Sequence, residues 1–429
     1  MTPSSGLYVE ERIRHTERNL VAQLRGAEGV GEDQGVWHTR DSNYTRLVDA
    51  VARALELVTR YDTELQRLLP AGADIFDAHL HLGHDIDGMV GDYDQLERLM
   101  ARYGVSRAFM FCLDEPDRHP GFRAANDRTL AFAERSGGRL IPFVRLDLNE
   151  SPIEEAKRCL DGGARGIKLH PRAQKFTATD ERLEPVFALA AERRVPILIH
   201  GGRGLPPIAD GLRTLVERHP EATLIIAHCG IADLHALANA MAGRRGVLFD
   251  TSVWSPVDLL DFYRQVPPEQ VVYASDYPYG QQPASQLIAI KTARIAGYSD
   301  DQVRAMLAGT ANAIADGRPL PEPTKPVGSS VLQQPMQLAR IHQYLSMATP
   351  LLWSRQPDTV GVLGLAINTC AERNGHVDAV DRIRELLEAA RDLWATVPAI
   401  EEEAQKRDTT RLTFRLIHLA DIEAVTTAA

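Results

Sequence analysis

Short apolar runs alternate with longer amphipathic segments through the middle of the chain. Eight runs predict β-strands, at residues 74–81, 107–113, 140–146, 166–170, 196–200, 223–228, 247–250 and 271–276. Segments with helical spacing of apolar residues lie between and after them, at residues 93–103, 126–135, 153–160, 183–193, 212–218, 234–242, 257–264 and 284–296. Eight strand–helix units in about 250 residues predict an α/β fold, a (β/α)₈ TIM barrel. The alternative is an open, doubly wound sheet.

The flanking segments show helical patterns without this alternation. Residues 1–72 predict an N-terminal helical arm, with a polar loop at 26–42 followed by a helix at 44–69. The barrel is expected at residues 73–318, and the proline-rich residues 319–331 are typical of a linker. Residues 332–429 predict an all-helical C-terminal extension, with helices at 336–347, 360–373, 379–395 and 410–424.

Histidine, lysine and aspartate residues stand where most of the predicted barrel strands end. His79 and His81 are two positions apart on the first strand, so their side chains point to the same side, together with Asp77. The later strands end at or near Lys168, His170, His200, His228, Asp250 and Asp276. Barrel enzymes build their sites at these strand ends, and imidazole with carboxylate suits a transition metal such as zinc. An open sheet would concentrate such residues at one switch point, so the distribution favours the barrel.

Composition narrows the possible functions. The 429 residues carry a formal net charge of -10, which argues against a nucleic-acid partner. No apolar run approaches the roughly 18 residues of a membrane span, and the residues after Met1 lack the apolar core of a signal peptide. The four cysteines have no CxxC spacing and indicate neither a disulfide framework nor a thiolate zinc site. We therefore expect a cytoplasmic enzyme.

Several short motifs follow one another in a characteristic order. They are Asp77-x-His79-x-His81, Gly166-x-Lys168-x-x-Pro171, His200-x-Gly202, His228-x-Gly230, Ser275-Asp276-x-Pro278 and Gly309-Thr310-Ala311-Asn312-Ala313. Over residues 73–318 the sequence resembles the amidohydrolase superfamily, in particular its amidohydrolase-related branch of TIM-barrel enzymes. The resemblance implies a divalent metal, most often Zn²⁺, bound by His79, His81 and Asp276 with help from His200.

The same resemblance leaves two kinds of metal site open. In the mononuclear kind, His200 completes the ligands and His228 polarises the substrate or the water. In the binuclear kind, a carbamylated lysine bridges two ions, His200 and His228 hold the second ion, and Lys168 occupies the position of that lysine. Carbamylation needs a neutral amine, which arginine could not supply. Lys168 could instead neutralise a substrate carboxylate or pair with Asp250.

The chemistry implied by this resemblance is hydrolysis. Asp276 would take a proton from water and pass it to the leaving group, while His228 stabilises charge on the substrate oxygen. The expected reaction is cleavage of an amide, cyclic amide, amidine or lactone bond in a small-molecule or peptide-derived substrate. Non-oxidative decarboxylation of a conjugated or aromatic acid is the alternative. An inactive barrel that serves binding or assembly is a more distant one.

The remaining candidates concern the substrate and the assembly. Arg172 and Arg203 lie just past strand ends, where a guanidinium could clamp a carboxylate; solvation at the surface is the alternative for both. His170, Asp250 and Trp254 are further candidates for substrate contacts. Asp250 could instead orient a site histidine or cap the next helix, and Trp254 could serve packing alone. The C-terminal helices are expected to support a homo-oligomer, most simply a dimer, or to shape the pocket.

Overall fold

The computed structural model describes residues 37–328, 333–353, 359–372 and 377–427. The chain divides into two compact units. The barrel unit is Leu68–Val331, and the helical unit combines Met1–Arg67 with Leu332–Ala429. The first 36 residues of the predicted N-terminal arm lie outside the described residues.

The barrel unit is built on nine described strands. They are β1 (Ile75–His84), β2 (Val90–Gly91), β3 (Val105–Cys112), β4 (Leu140–Arg145), β5 (Gly166–Leu169), β6 (Ile197–Ile199), β7 (Leu224–Ile226), β8 (Val247–Asp250) and β9 (Val271–Val272). Their order is β2-β1-β3-β4-β5-β6-β7-β8-β9, and every neighbouring pair is parallel except β2 with β1. All eight predicted strands are present. Only the two-residue β2 was not predicted, because it is too short to carry a pattern.

Hydrogen bonds between the first and last parallel strands close the sheet. The amide of Ala78 donates to the carbonyl of Tyr273 at 2.9 Å, and the amide of His81 donates to the carbonyl of Tyr277 at 2.7 Å. Leu80 and Tyr277 also form a parallel bridge. The predicted (β/α)₈ barrel is therefore confirmed, and the open sheet is excluded.

Helices follow the strands as the sequence pattern predicts. They are α2 (Tyr93–Tyr103), α3 (Arg123–Arg135), α4 (Pro152–Asp161), α5 (Glu184–Arg193), α6 (Ala209–Arg218), α7 (Leu234–Met241), α8 (Pro256–Tyr263), α9 (Ala284–Ile295), α10 (Asp300–Arg304) and α11 (Thr310–Ala315), with a π-helical turn at Ala305–Gly309. Local chemistry sets the ends of α2. The Asp92 side chain accepts from the amide of Gln95 at 2.7 Å, and Gly104 ends the helix with a φ of 69°.

Aromatic side chains fill the interior of the barrel. The rings of Phe76 and Phe109 are 4.7 Å apart edge to face, and Phe143 lies 4.7 Å from Phe109. Ala308 and Ala311, from the π-helical turn and α11, belong to the same core. Side chains alternate along a strand, so every second residue points into the barrel. Past the aromatic core, the residues that point inward are those near the C-terminal ends of the strands.

The helical unit comprises α1 (Trp37–Leu68) with α12 (Met336–Trp353), α13 (Thr359–Cys370), α14 (Val377–Thr396) and α15 (Glu403–Thr426). The four predicted C-terminal helices are thus present. Helix α1 begins inside the predicted loop at 26–42 and bonds to α14 through Arg60 and Glu385 at 2.8 Å. Helices α12 and α15 are joined by His342 and Asp421 at 2.6 Å. Among the described residues, no helix combines the length and the apolar character needed to cross a membrane.

The described part of the predicted linker lies on the barrel unit. Thr324 donates from its amide and its hydroxyl to Glu269 at 3.0 and 3.1 Å. Arg245 and Glu322 form an ion pair of 2.9 Å. Residues 329–331 of the predicted linker fall outside the described residues.

Candidate metal centre

Three potential metal ligands converge at one end of the barrel, two from within β1 and one from the segment after β9. Nε2 of His79 and Nε2 of His81 are 3.1 Å apart. Oδ1 of Asp276 lies 3.3 Å from each of these nitrogens. Both histidines are buried, whereas Asp276 keeps 15% of its side chain exposed. The structure therefore brings together the three residues that the sequence predicted as the main ligands.

Backbone contacts hold these side chains in register. The carboxylate of Asp77 accepts from the amide of His79 at 3.2 Å and from the amide of Ser275 at 2.9 Å. The amide of Asp276 in turn donates to the carbonyl of His79 at 2.9 Å. Asp276 has a φ of 58°, a strained conformation for a residue with a side chain. The closure of the barrel thus fixes Asp276 beside the two histidines.

The outer nitrogens of the two histidines face groups that accept hydrogen bonds. Nδ1 of His79 is 2.7 Å from Oδ2 of Asp250, and Nδ1 of His81 is 3.4 Å from the carbonyl of Cys112. Burial lowers the pKa of His81 and brings that of His79 well below its usual range, so both rings are neutral. Since a neutral ring has one N–H and a carboxylate only accepts, Nδ1 of His79 carries the hydrogen and Nε2 of His79 keeps a lone pair.

Lys168 projects from β5 into the same space. It is completely buried, and its Nζ lies 3.3 Å from Nε2 of His79 and 4.4 Å from the centre of the Phe111 ring. Burial lowers the pKa of Lys168 to about 7. At neutral pH the Lys168 side chain is therefore a neutral amine in a large fraction of the molecules.

Arg145 on β4 is a buried cation that the sequence analysis did not identify. It is the register partner of Lys168, so both side chains point to the same side of the sheet. Its Nη1 donates to the carbonyl of Cys112 at 3.2 Å, the same carbonyl that His81 faces. An arginine at the end of an apolar strand run was the available signal.

The other histidines form a second group beside the first. Nε2 of His228 is 3.0 Å from Nδ1 of His200, and the His170 ring stacks on His200 at 3.9 Å. His79, His228 and Asp276 each offer a ligand atom within 4.8 Å of one another. His228 is also strained, with a φ of 55°. The structure thus brings the four predicted histidine ligands close together (His79, His81, His200 and His228). Of the last two, His228 is the one that lies within 4.8 Å of both His79 and Asp276.

Asp250 contacts a site histidine, one of the roles that the sequence left open for it. It is completely buried, and besides His79 it receives the amide of His228 at 2.8 Å and the amide of Ser252 at 3.0 Å. A carboxylate with both oxygens occupied and no exposed surface is suited to orienting the histidines. Ser252, which also contacts His228, was not identified from the sequence.

The predicted arginine clamps lie away from this cluster or at the surface. Arg203 is 71% exposed and binds Asp258 at 2.5 Å, so the structure does not bring it to the cluster. Arg172 is exposed as well. Trp254 is half-buried, two residues after Ser252. The position of a residue just past a strand end does not show in which direction its side chain points.

Solved structures of related fold were compared with the chain. An uncharacterized TIM-barrel protein from Bordetella bronchiseptica shares 14% identity, covering 57% of this chain and 100% of that chain, with a TM-score of 0.46. A 2,6-dihydroxybenzoate decarboxylase, complexed with 2,6-dihydroxybenzoate, shares 15% identity over 57% and 99% of the chains, with a TM-score of 0.45. The 4-oxalomesaconate hydratase from Rhodopseudomonas palustris shares 15% identity over 56% and 95%, with a TM-score of 0.42.

A search of curated proteins found no match. The sequence model of the Amidohydrolase family matches residues 76–314, which is more than half of the chain and includes every strand end of the cluster. The chain therefore belongs to the Amidohydrolase family of enzymes.

Proposed function

We propose that the protein is a metal-dependent hydrolase that cleaves an amide, cyclic amide, amidine or lactone bond of a small-molecule or peptide-derived substrate. The observation that carries this proposal is the convergence of His79, His81 and Asp276. Two nitrogen atoms 3.1 Å apart, each 3.3 Å from one carboxylate oxygen, all present lone pairs to one point.

The donor set fits a divalent ion of the zinc class. Lone pairs and a carboxylate charge at this separation repel one another unless a cation lies among them. Neutral imidazole and carboxylate are ligands of zinc, and a ligating histidine normally gives its other N–H to a carboxylate or a carbonyl. His79 and His81 do this with Asp250 and Cys112. His79, His81 and Asp276 would hold the ion, with His200 as the further ligand that the family resemblance implies.

The residues around the ion have separable tasks. When bound, an ion of this class supplies Lewis acidity and makes water a nucleophile near neutral pH. Oδ1 of Asp276 faces the two histidines, which leaves Oδ2 to accept the proton of the attacking water and return it to the leaving group. His228 faces the same space and would contact the substrate.

The number of ions depends on Lys168. A pKa of about 7 leaves an amine that could form the carbamate of a binuclear site. We propose one ion as the basic site, and a second where Lys168 is carbamylated. Decarboxylation of a conjugated or aromatic acid is the second candidate reaction. It is favoured by two buried side chains on adjacent strands that suit a substrate carboxylate, the cation Arg145 and Lys168, which is partly protonated near its pKa of about 7.

Elemental analysis of protein purified without added metal tests the proposal. We expect roughly one zinc-class ion per chain, lost in His81→Gln and Asp276→Asn. The matched control His235→Gln, at a side chain that is 75% exposed, keeps the ion. Lys168→Met removes an ion only if the site is binuclear. If the wild-type protein contains no metal even after reconstitution, the proposal is wrong.

Substrate panels decide between the two reactions. Amides, cyclic amides and lactones are compared with aromatic acids, for which release of CO₂ is measured. Turnover of the first group that disappears in Asp276→Asn supports hydrolysis, and CO₂ release alone supports decarboxylation. We further propose the homodimer expected from the C-terminal helices, which sedimentation analysis of the full chain would test.

A further inference from the structure

One buried carboxylate is bonded to two branches of the histidine cluster. Oδ2 of Asp250 is 2.7 Å from Nδ1 of His79 on β1. Oδ1 of Asp250 accepts from the amide of His228 at 2.8 Å, the amide of Ser252 at 3.0 Å, and the Ser252 hydroxyl. Asp250 therefore connects His79 with the segment that faces His228.

The bonds of Ser252 determine which nitrogen of His228 carries hydrogen. The Ser252 hydroxyl has one proton, and it donates that proton to Asp250, whose carboxylate only accepts. Towards Nδ1 of His228, at 2.9 Å, the hydroxyl oxygen is therefore an acceptor. The carbonyl of Ser252, 2.8 Å from the same nitrogen, is also an acceptor. Nδ1 of His228 faces two acceptors and must carry the hydrogen.

The same carboxylate therefore fixes the outer nitrogen of two histidines. Nδ1 of His79 points its hydrogen at Asp250, and Nδ1 of His228 points its hydrogen at the Ser252 segment that Asp250 holds. Nε2 of His79 then faces His81, and Nε2 of His228 lies 3.0 Å from Nδ1 of His200. We infer that Asp250 is a positioning residue that places the Nδ1 hydrogens of two histidines, His79 directly and His228 through the Ser252 segment.

This arrangement has consequences for the proposed centre, and to that extent the inference rests on the proposed function. Asp250 turns Nε2 of His79, rather than Nδ1, towards His81 and Asp276. His228 is turned towards the same group, since His79, His228 and Asp276 each offer a ligand atom within 4.8 Å of one another.

Asp250→Asn is the sharpest probe, because it changes one atom and keeps the shape. If the amide oxygen keeps the three donors at the Oδ1 position, the NH₂ group faces Nδ1 of His79. Two donors cannot face each other, so His79 must move its hydrogen to Nε2 and lose the lone pair there. If the amide turned the other way, its NH₂ group would face the three donors at the Oδ1 position. Three hydrogen bonds would then be lost, and only the bond from His79 would be kept. His228 should keep its hydrogen on Nδ1, because the Ser252 carbonyl still faces that nitrogen.

The measurement is long-range ¹H–¹⁵N NMR of the metal-free, full-length protein with ¹⁵N-labelled histidine, assigned with single His→Gln variants. Such spectra distinguish the nitrogen that carries hydrogen from the bare one. We expect hydrogen on Nδ1 of His79 and on Nδ1 of His228 in the wild-type protein, and a switch of His79 alone in Asp250→Asn. Asp258→Asn, which removes the partner of Arg203, is the matched control and should change neither histidine.

Zinc titration of the same samples separates this inference from the proposed function. Asp250→Asn should bind zinc about 10- to 100-fold more weakly, as for other partners of metal-ligating histidines, and Asp258→Asn should match the wild type. The expected tautomers without zinc binding in the wild type would uphold the inference and refute the metal centre. A bare Nδ1 in wild-type His228, or an unchanged His79 in Asp250→Asn, overturns the inference. If Asp250→Asn does not fold, the wild-type spectrum alone decides.

Discussion

Nε2 of His79 and Nε2 of His81 lie 3.1 Å apart, and Oδ1 of Asp276 lies 3.3 Å from each. Nδ1 of each ring faces an acceptor on the opposite side, Asp250 for His79 and the carbonyl of Cys112 for His81. Three ligand atoms crowded into a buried space repel one another unless a positive charge lies among them. The metal-free cluster is therefore a local weakness of the folded state that a cation would relieve.

The first prediction is that zinc stabilises the metal-free protein against unfolding. A ligand that binds only the folded state at 1,000 times its Kd adds about 4 kcal/mol. Calorimetry with and without zinc should show a higher Tm for the wild type and no change for Asp276→Asn. His235→Gln should respond as the wild type does. If zinc does not change the Tm of the wild-type protein, that result would contradict a metal centre at His79, His81 and Asp276.

The strand ends explain why so much of this site could be predicted from the sequence. Alternation along a strand places His79 and His81 on one side without any knowledge of the fold. The barrel then brings the ends of β1 and β9 together, so Asp276 meets them although it lies nearly 200 residues later in the chain. Apolar runs long enough to show their period located every parallel strand.

Side chains that act across strands could not be predicted in the same way. The sequence left Asp250 open between the substrate, a site histidine and a helix cap, because sequence position does not show which partners occupy its two oxygens. Arg145 and Ser252 follow ordinary apolar runs, and their roles depend on partners from other strands. Arg203 was left open between a substrate clamp and the surface, and its side chain binds Asp258. What the sequence leaves open is the direction of these side chains, which depends on neighbours distant in sequence.

The second prediction concerns Lys168 and pH. The pKa of Lys168 falls from 10.5 to about 7 on folding, because burial disfavours the charged amine. Between these values the unfolded chain binds more protons than the folded one, so stability must rise with pH. The contribution approaches about 1.4 kcal/mol per pH unit inside this window. Denaturant unfolding of metal-free protein in CO₂-free buffer, from pH 7 to above 10, should show this rise.

Two variants isolate the contribution of Lys168. Lys168→Met removes the titrating group, so its stability should exceed that of the wild type most at pH 7 and progressively less as the pH rises. Lys157→Met, at an exposed lysine of α4, should keep the wild-type slope. Equal slopes in the wild type and Lys168→Met would mean that Lys168 keeps its proton in the folded protein.

The third prediction is that Arg203 contributes little to activity. Its pair with Asp258 is an exposed ion pair, and such pairs contribute about 0 to 1 kcal/mol. Arg203→Ala should therefore lower stability by no more than about 1 kcal/mol and leave kcat/KM for the substrate found in the panels near the wild-type value. A large rise in KM with unchanged kcat would show that Arg203 turns inward to clamp the substrate, as first expected from its position.

The fourth prediction tests the packing of the loop that follows β5, which begins at His170. A Cβ added at Gly211 in α6 would lie 2.4 Å from the carbonyl oxygen of Ala178 and 2.8 Å from its Cβ. These are mostly backbone atoms, which cannot turn away, so Gly211→Ala should destabilise the fold by about 1 to 3 kcal/mol. Gly364→Ala in α13 meets no atom within 4 Å and should stabilise by about 0.5 to 1 kcal/mol, because alanine is the better helix former. Chemical denaturation of both variants measures the difference. If Gly211→Ala leaves the free energy of unfolding unchanged, α6 and the loop can move apart at little cost. The loop would then not fix the position of His170 on His200.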